Sequence, residues 1–209
     1  MGPKTNCALM KLKLKLFVAT VISLVPTSTL RAFLYRTIFK YTIKNSQIGF
    51  LCVIAAKQVN LDGAHISKCN LFWGNFTLSL NPGSKVGPLN LFLCPQWTNE
   101  RDPNRYLRSI TLEAESMITS QHYFDICSEI RLGKRSWIAG TGSQFWTHGQ
   151  GVGSISIGAD CYIGSACRFA PGVSITDGCT VGIGSILKGI YSSPNATIFS
   201  PKAINQDDN

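Results

Sequence analysis

Acidic residues are missing from the first part of this sequence. The chain has 209 residues and a formal net charge of +9, yet no aspartate or glutamate precedes Asp62. Residues 1–50 instead carry cations at Lys4, Lys11, Lys13, Lys15, Arg31, Arg36, Lys40 and Lys44. The rest of the chain is close to neutral, so the basic charge belongs to an N-terminal arm. Such an arm favours an anionic membrane surface or a nucleic acid as partner, or is simply a solvated basic helix.

Long hydrophobic runs are also missing. The apolar stretch LFVATVISLV at residues 16–25 is too short to span a bilayer and has the length of a signal-peptide core. A cleaved signal should not be followed by a second apolar pattern, but here one returns with helical spacing at Leu30, Phe33, Leu34 and Ile38. We therefore favour a helix lying on a membrane surface over a cleaved signal. Residues 1–45 are predicted to form a basic amphipathic helical arm.

Cysteine is present without the spacing of a metal or redox motif. None of the eight cysteines forms a C-x-x-C pair, which argues against zinc-ribbon and thioredoxin-like proteins. Cys161, Cys167 and Cys179 each follow a periodic apolar residue by four positions, where a small apolar side chain fits. The thiols are predicted to be reduced packing residues of a cytoplasmic protein at the inner face of the membrane.

The apolar residues of the C-terminal half repeat every six positions, a period that neither a helix nor a single strand has. They are Ile157, Ile163, Phe169, Ile175, Val181 and Leu187, and shorter series occur upstream with slips in phase. Each hexapeptide is predicted to be one short strand and a corner, so that three of them form a triangular coil. The predicted fold is all-β, a left-handed parallel β-helix over residues 46–190. The arm would cap one end and the tail, residues 191–209, the other.

The most regular repeats resemble the hexapeptide-repeat acyltransferase family. Residues 157–164 read IGADCYIG, residues 171–178 read PGVSITDG and residues 182–187 read GIGSIL. Within that family, VPTSTLRAFLYRTIFKYTI and GSQFWTHG most resemble acetyltransferases of surface-polysaccharide biosynthesis. The resemblance implies a homotrimer that uses acetyl-CoA as co-substrate and acetylates a sugar hydroxyl of a polysaccharide or lipid-linked precursor. It implies no metal and no nucleic-acid partner.

The resemblance also implies a histidine general base near the seam between protomers. His148 is the first candidate, because the glycines around it allow a ligand to approach and Trp146 could line the acceptor site. His122 is the second, with Asp125 or Glu129 as the carboxylate that orients its ring. Asp125 is also placed in the acceptor site, beside Trp146. The loop at residues 95–108 interrupts the repeat and is predicted to protrude, either towards the acceptor or a neighbouring protomer or simply into solvent.

The predicted acetyl-CoA contacts lie near the end of the chain, where a glycine backbone and two cations could meet the pantetheine arm and the phosphates. They are Gly182, Gly184, Ser185, Lys188 and Lys202. Three alternatives stay open: an N-acyltransferase acting on an amino sugar, a non-catalytic β-helix scaffold, and a zinc-dependent carbonic anhydrase. The last needs a closely spaced histidine pair, which this sequence lacks.

Overall fold

The structure is a computed structural model and describes residues 3–199. Two helices, α1 (Pro3–Ser23) and α2 (Ser28–Phe39), precede a parallel β-solenoid. Its short strands stack on three sides of a prism, which we call faces A, B and C. The predicted all-β parallel β-helix of hexapeptide coils, with an N-terminal helical arm, is confirmed.

Face C is an 8-stranded parallel sheet in which each coil contributes one two-residue strand. Its strands are β2 (Gln47–Ile48), β4 (His65–Ile66), β6 (Lys85–Val86), β9 (Met117–Ile118), β12 (Trp137–Ile138), β15 (Tyr162–Ile163), β18 (Thr180–Val181) and β21 (Thr197–Ile198).

Faces A and B form one 13-stranded sheet, because two long strands turn from one face onto the other. These are β3 (Val53–Asp62) and β5 (Leu71–Leu80). Face A continues with β7 (Leu91–Leu93), β10 (Tyr123–Asp125), β13 (Gln144–Trp146), β16 (Arg168–Phe169) and β19 (Ile186–Leu187). Face B comprises β1 (Thr42–Lys44), β8 (Ser109–Leu112), β11 (Glu129–Leu132), β14 (Ile155–Ile157), β17 (Ser174–Ile175) and β20 (Ile190–Tyr191) besides the ends of β3 and β5. A 3-10 helix, η1, spans Gln96–Glu100.

The periodic residues point into the prism and stack on one another from coil to coil. On face A this column is aromatic, with neighbouring ring centroids 4.4–4.7 Å apart and nearly parallel planes, and consists of Phe72, Phe92, Phe124, Phe145 and Phe169. All five side chains are fully buried. Offset stacking adds to the hydrophobic gain of burial, so this column holds neighbouring coils in register.

A polar column runs along the corner between faces C and A. The side-chain oxygen of Asn70 accepts the backbone N–H of Asn90, and that of Asn90 accepts the N–H of His122, each at 2.9 Å. His122 Nδ1 then accepts the N–H of Ser143, whose hydroxyl accepts the N–H of Cys167. These bonds satisfy backbone N–H groups at the corner that do not take part in the hydrogen bonds between strands.

The helices cover the first coil and bind its unpaired backbone groups. Arg31 is buried and donates to the carbonyl oxygen of Ile48 at 3.0 and 2.7 Å, and also to Val25. The Tyr35 hydroxyl lies 2.9 Å from the Cys52 carbonyl oxygen and accepts the N–H of Ile54. A stack of coils would otherwise expose an open strand edge and its core at this end.

The predicted segment boundaries can be placed on these elements. Both helices lie within the predicted arm, residues 1–45, which also contains the first solenoid strand, β1. The predicted tail, residues 191–209, contains β21, which pairs with β18 and extends face C. No helix in the described part of the chain is long and apolar enough to cross a membrane.

The cysteines pack as the sequence predicts. Seven of them have described side chains, and these seven are free thiols, of which six are buried. Burial raises the pKa of the Cys161 and Cys167 thiols, so these side chains stay protonated at neutral pH.

The aromatic column is testable by truncation. Phe124→Ala removes the middle ring and should lower the free energy of unfolding by about 3–5 kcal/mol, because the rigid coils cannot close the cavity. Chemical denaturation followed by circular dichroism measures this. Ile183→Ala, at a side chain that is 79% exposed, is the control and should change the value by less than about 0.5 kcal/mol. A loss below about 1 kcal/mol for Phe124→Ala would contradict the role of the column.

Candidate functional site

Where a side of the prism has more than six residues, the additional residues form a loop, and these loops lie mainly at the corner between faces A and B. Phe169 and Ile175 occupy matching positions on the two faces and are six residues apart. Phe145 and Ile157 are twelve apart, and Phe92 and Leu112 are twenty apart, at the same two positions. The surplus forms two loops, residues 94–108 and residues 147–153. Because they leave the same corner of nearby coils, they meet in space.

The loop at residues 147–153 carries His148 and holds it beside a buried carboxylate. His148 and Val152 form an isolated antiparallel bridge, and the Gly153 N–H donates to the Thr147 carbonyl oxygen. His148 Nδ1 lies 2.5 Å from Oδ2 of Asp125, the last residue of β10. The Asp125 side chain is fully buried, whereas the His148 side chain is 30% exposed. The buried pair therefore opens to solvent on the histidine side.

The hydrogen bond fixes the tautomer of His148. With Nδ1–H donating to the carboxylate, Nε2 carries a lone pair, and it has no hydrogen-bond partner among residues 3–199. Thr147 holds the base of the loop, because its hydroxyl donates to the Asp125 carbonyl oxygen at 2.6 Å and accepts the backbone N–H groups of Cys127 and Ser128. This arrangement orients the ring of a partly exposed histidine and leaves Nε2 available to accept a proton.

Cys127 completes a cluster whose three ligand-type atoms lie within 4.8 Å of one another. Its Sγ is 3.5 Å from Asp125 Oδ1 and 3.3 Å from His148 Nδ1. Burial, and then the Asp125 charge, raise the pKa of this thiol, so that it remains S–H and donates to the carboxylate. Two ligands on one tetrahedral zinc ion would lie about 3.3 Å apart, given bonds of about 2.0–2.1 Å. The 2.5 Å contact is instead that of a direct, charge-assisted hydrogen bond.

Two tryptophans flank the exposed edge of His148. Trp146 lies in β13, and its ring centroid is 6.5 Å from that of His148. Trp97 comes from η1 in the other loop, lies 5.2 Å from His148 in an edge-to-face arrangement, and is 45% exposed. Tyr106 packs against Trp97, and Arg101 lies over the Trp97 ring. The loop at residues 95–108, predicted to protrude, therefore forms one wall beside His148.

His122 lies at a different corner and is fully engaged there. Its Nδ1 accepts the Ser143 N–H, so its proton is on Nε2, which donates to the Thr119 hydroxyl at 3.0 Å. The ring is buried, and this burial lowers its pKa to about 4. The Asp125 carboxylate, predicted to orient His122 or contact the acceptor, is bonded to His148 instead. Of the two histidines, only His148 therefore has an available ring nitrogen, and His122 has a packing role.

Three of the predicted acetyl-CoA residues, Gly182, Gly184 and Ser185, lie between β18 and β19, at the corner between faces C and A. Ser185 is buried, and its hydroxyl donates to the Gly182 carbonyl oxygen, so it shapes the turn. Gly184 has a φ of 74° and open space where a side chain would point. Lys188 is exposed and lies between β19 and β20, at the corner between faces A and B, and Lys202 lies outside the described residues. Within one protomer, the corner with Gly182, Gly184 and Ser185 is not the one that carries His148, whereas Lys188 lies at the same corner as His148 in a later coil.

Trp97, Thr147 and Cys127 belong to the site but were not predicted from the sequence. The position of Trp97 could have been inferred from the sequence. If Phe92 and Phe145 are aligned as equivalent positions of the repeat, both loops fall at the same corner. The roles of Thr147 and Cys127 depend on contacts between coils, which no local pattern encodes.

Comparison with known proteins identifies no relative of this chain. No protein-family model matches the chain, and no curated protein matches it either. The fold and the site define a class: a parallel β-solenoid protein in which a histidine on an inserted loop pairs with an aspartate at the end of a strand.

The role of His122 predicts a pH dependence of stability. The folded pKa of about 4 lies below the unfolded value of 6.5, so the unfolded chain binds the extra proton within that window. The free energy of unfolding should therefore fall as pH drops from 6.5 towards 4, by up to about 1.4 kcal/mol per pH unit from this residue. Denaturation curves at several pH values measure this slope.

His122→Asn is the matched variant, since Asn70 and Asn90 hold equivalent positions in the same column. It should fold and show a shallower loss of stability over that window. An unchanged slope would show that His122 is not buried as a neutral ring.

Proposed function

We propose that the protein is an acyl-CoA-dependent acetyltransferase that acetylates a sugar hydroxyl of a surface polysaccharide or its precursor. The observation that carries this proposal is the Asp125–His148 pair, in which the partly exposed His148 has its Nδ1 engaged and its Nε2 available, close to two tryptophans. The proposal is also supported by the likeness of the repeats to hexapeptide acyltransferases, a family built on a β-solenoid.

The chemistry follows from the orientation of His148. Nε2 takes the proton of the acceptor hydroxyl as the oxygen attacks the thioester carbonyl carbon of acetyl-CoA. The Asp125 carboxylate stabilises the imidazolium that forms and remains ionised itself. When the tetrahedral intermediate collapses, the C–S bond breaks and the imidazolium returns its proton to the sulfur. The products are the O-acetylated sugar and free CoA.

The aromatic surroundings suit a carbohydrate acceptor. Trp97 and Trp146 present apolar ring surface beside His148, and Arg101 adds a donor at the rim. An apolar face with a few polar groups is the usual composition of a specific small-molecule site. Transfer to an amino group would use the same base, so an N-acyltransferase is the nearest alternative.

A homotrimer is part of the proposal. Gly182, Gly184 and Ser185 lie at a different corner of the protomer from His148, whereas a neighbouring protomer could bring its own copy of that corner against the His148 loop. A non-catalytic scaffold is the alternative function, and it predicts no binding of acetyl-CoA.

Loss of the base should abolish turnover. His148→Ala should reduce CoA release, measured with acetyl-CoA and a mixture of cell-envelope glycan precursors, by about 10²–10⁴-fold. Asp125→Asn should lower the rate in the same direction, because the amide cannot stabilise the imidazolium. His65→Ala is the control, since His65 is exposed and contacts Gln47 on face C. Normal turnover by His148→Ala together with a collapse in His122→Asn would move the role to His122.

The aromatic wall should act on the acceptor rather than on acetyl-CoA. Trp97→Ala is expected to raise the KM for the acceptor about 3- to 10-fold, through the loss of aromatic contact. The KM for acetyl-CoA should be unchanged. Trp137→Ala, on the outer side of face C, serves as the matched tryptophan control. Equal effects of both variants on the acceptor would remove Trp97 from the site.

A further inference from the structure

The helices have an apolar face that the solenoid does not cover. On the inner side of α1, Ala19 and Ile22 are buried against the first coil. On the opposite side of the same helix, large apolar side chains are 51–67% exposed. They are Met10, Leu14, Phe17 and Val21, and Leu24 in the following turn continues the row. A helix that is apolar on both sides needs cover on both.

Helix α2 also carries exposed apolar side chains. Leu30, Phe33 and Ile38 are each about half exposed, while Arg31 and Tyr35 on the inner side fix the helix to the first coil. The surface is thus held rigidly at the end of the solenoid before any partner binds. A monomer normally exposes single, scattered apolar residues, whereas these two helices expose many large apolar side chains.

The charge around the surface indicates what covers it. Lys13, Arg36, Lys40 and Lys44 are exposed on or next to these helices, and no acidic residue occurs before Asp62. The α1 row has the alternating four- and three-residue spacing that also suits a coiled coil. Copies of this helix would, however, bring only like charges together. An anionic lipid surface offers both apolar depth and opposite charge.

We infer that the outer faces of α1 and α2 form a docking surface for an anionic lipid bilayer, with the apolar row buried at the headgroup boundary. This inference is independent of the acetyltransferase proposal, because no residue of the His148 site takes part. Binding should weaken with added salt, since the cations contribute through screened attraction.

Vesicle flotation of the full-length protein tests the inference. The vesicles are neutral phosphatidylcholine alone, or the same lipid with about 30% phosphatidylglycerol as the anionic component. Wild type should bind the anionic vesicles at least about tenfold more tightly than the neutral ones. Phe17→Asp with Phe33→Asp should lose at least about tenfold in binding, because two charges replace buried apolar rings. Ile183→Asp, at an exposed apolar residue on the solenoid, should bind like wild type.

A second variant removes positive charge and tests the inference even if the Phe17→Asp and Phe33→Asp substitutions disturb folding. Lys13→Gln with Arg36→Gln touches only exposed side chains and should cost about fivefold for each cation removed. Lys85→Gln, on face C, is its control. Equal binding to neutral and anionic vesicles, or none to either, would overturn the inference. So would a wild-type assembly that Phe17→Asp dissociates while vesicle binding stays unchanged, since a second copy would then cover this face.

Discussion

The stacking of Phe72, Phe92, Phe124, Phe145 and Phe169 is the interaction on which the rest of the structure depends. Each ring packs on the one below, so a coil cannot shift by a residue without exposing its apolar side chain. Any residues beyond the hexapeptide must then leave the prism at a corner. The columns on faces B and C add aliphatic contacts, but only face A has an unbroken aromatic series.

The candidate site follows directly from that constraint. Two loops of very different length leave the prism at the corner between faces A and B, so Trp97 and His148 meet although they are far apart in sequence. The strand below supplies Asp125, whose position after Phe124 turns its carboxylate towards the same corner. Rigid strands thus place the carboxylate, and a loop tied down by Thr147 places the imidazole.

The sequence predicted the fold well because the six-residue period is a local signal, repeated many times. It singled out His148 and Trp146, which the structure places close together, through their position beside the regular coils, and it singled out Asp125 with the wrong histidine as partner. That error has a physical cause. Asp125 is only three residues from His122, but His122 precedes β10 at the corner between faces C and A, whereas Asp125 ends β10 at the corner between faces A and B. Side chains three positions apart in an extended segment also point to opposite sides. Contacts between coils, not proximity in sequence, decide the pairing.

The concentration of insertions at one corner has a consequence for how such a protein can change. The other two corners keep six residues in nearly every coil, and the aromatic column fixes the register independently of loop length. Residues 94–108 and 147–153 can therefore be lengthened, shortened or exchanged at a small entropic cost, without altering strand pairing. The surroundings of His148 can therefore diverge while stability is preserved, because the residues that form these loops are separate from those that hold the coils in register.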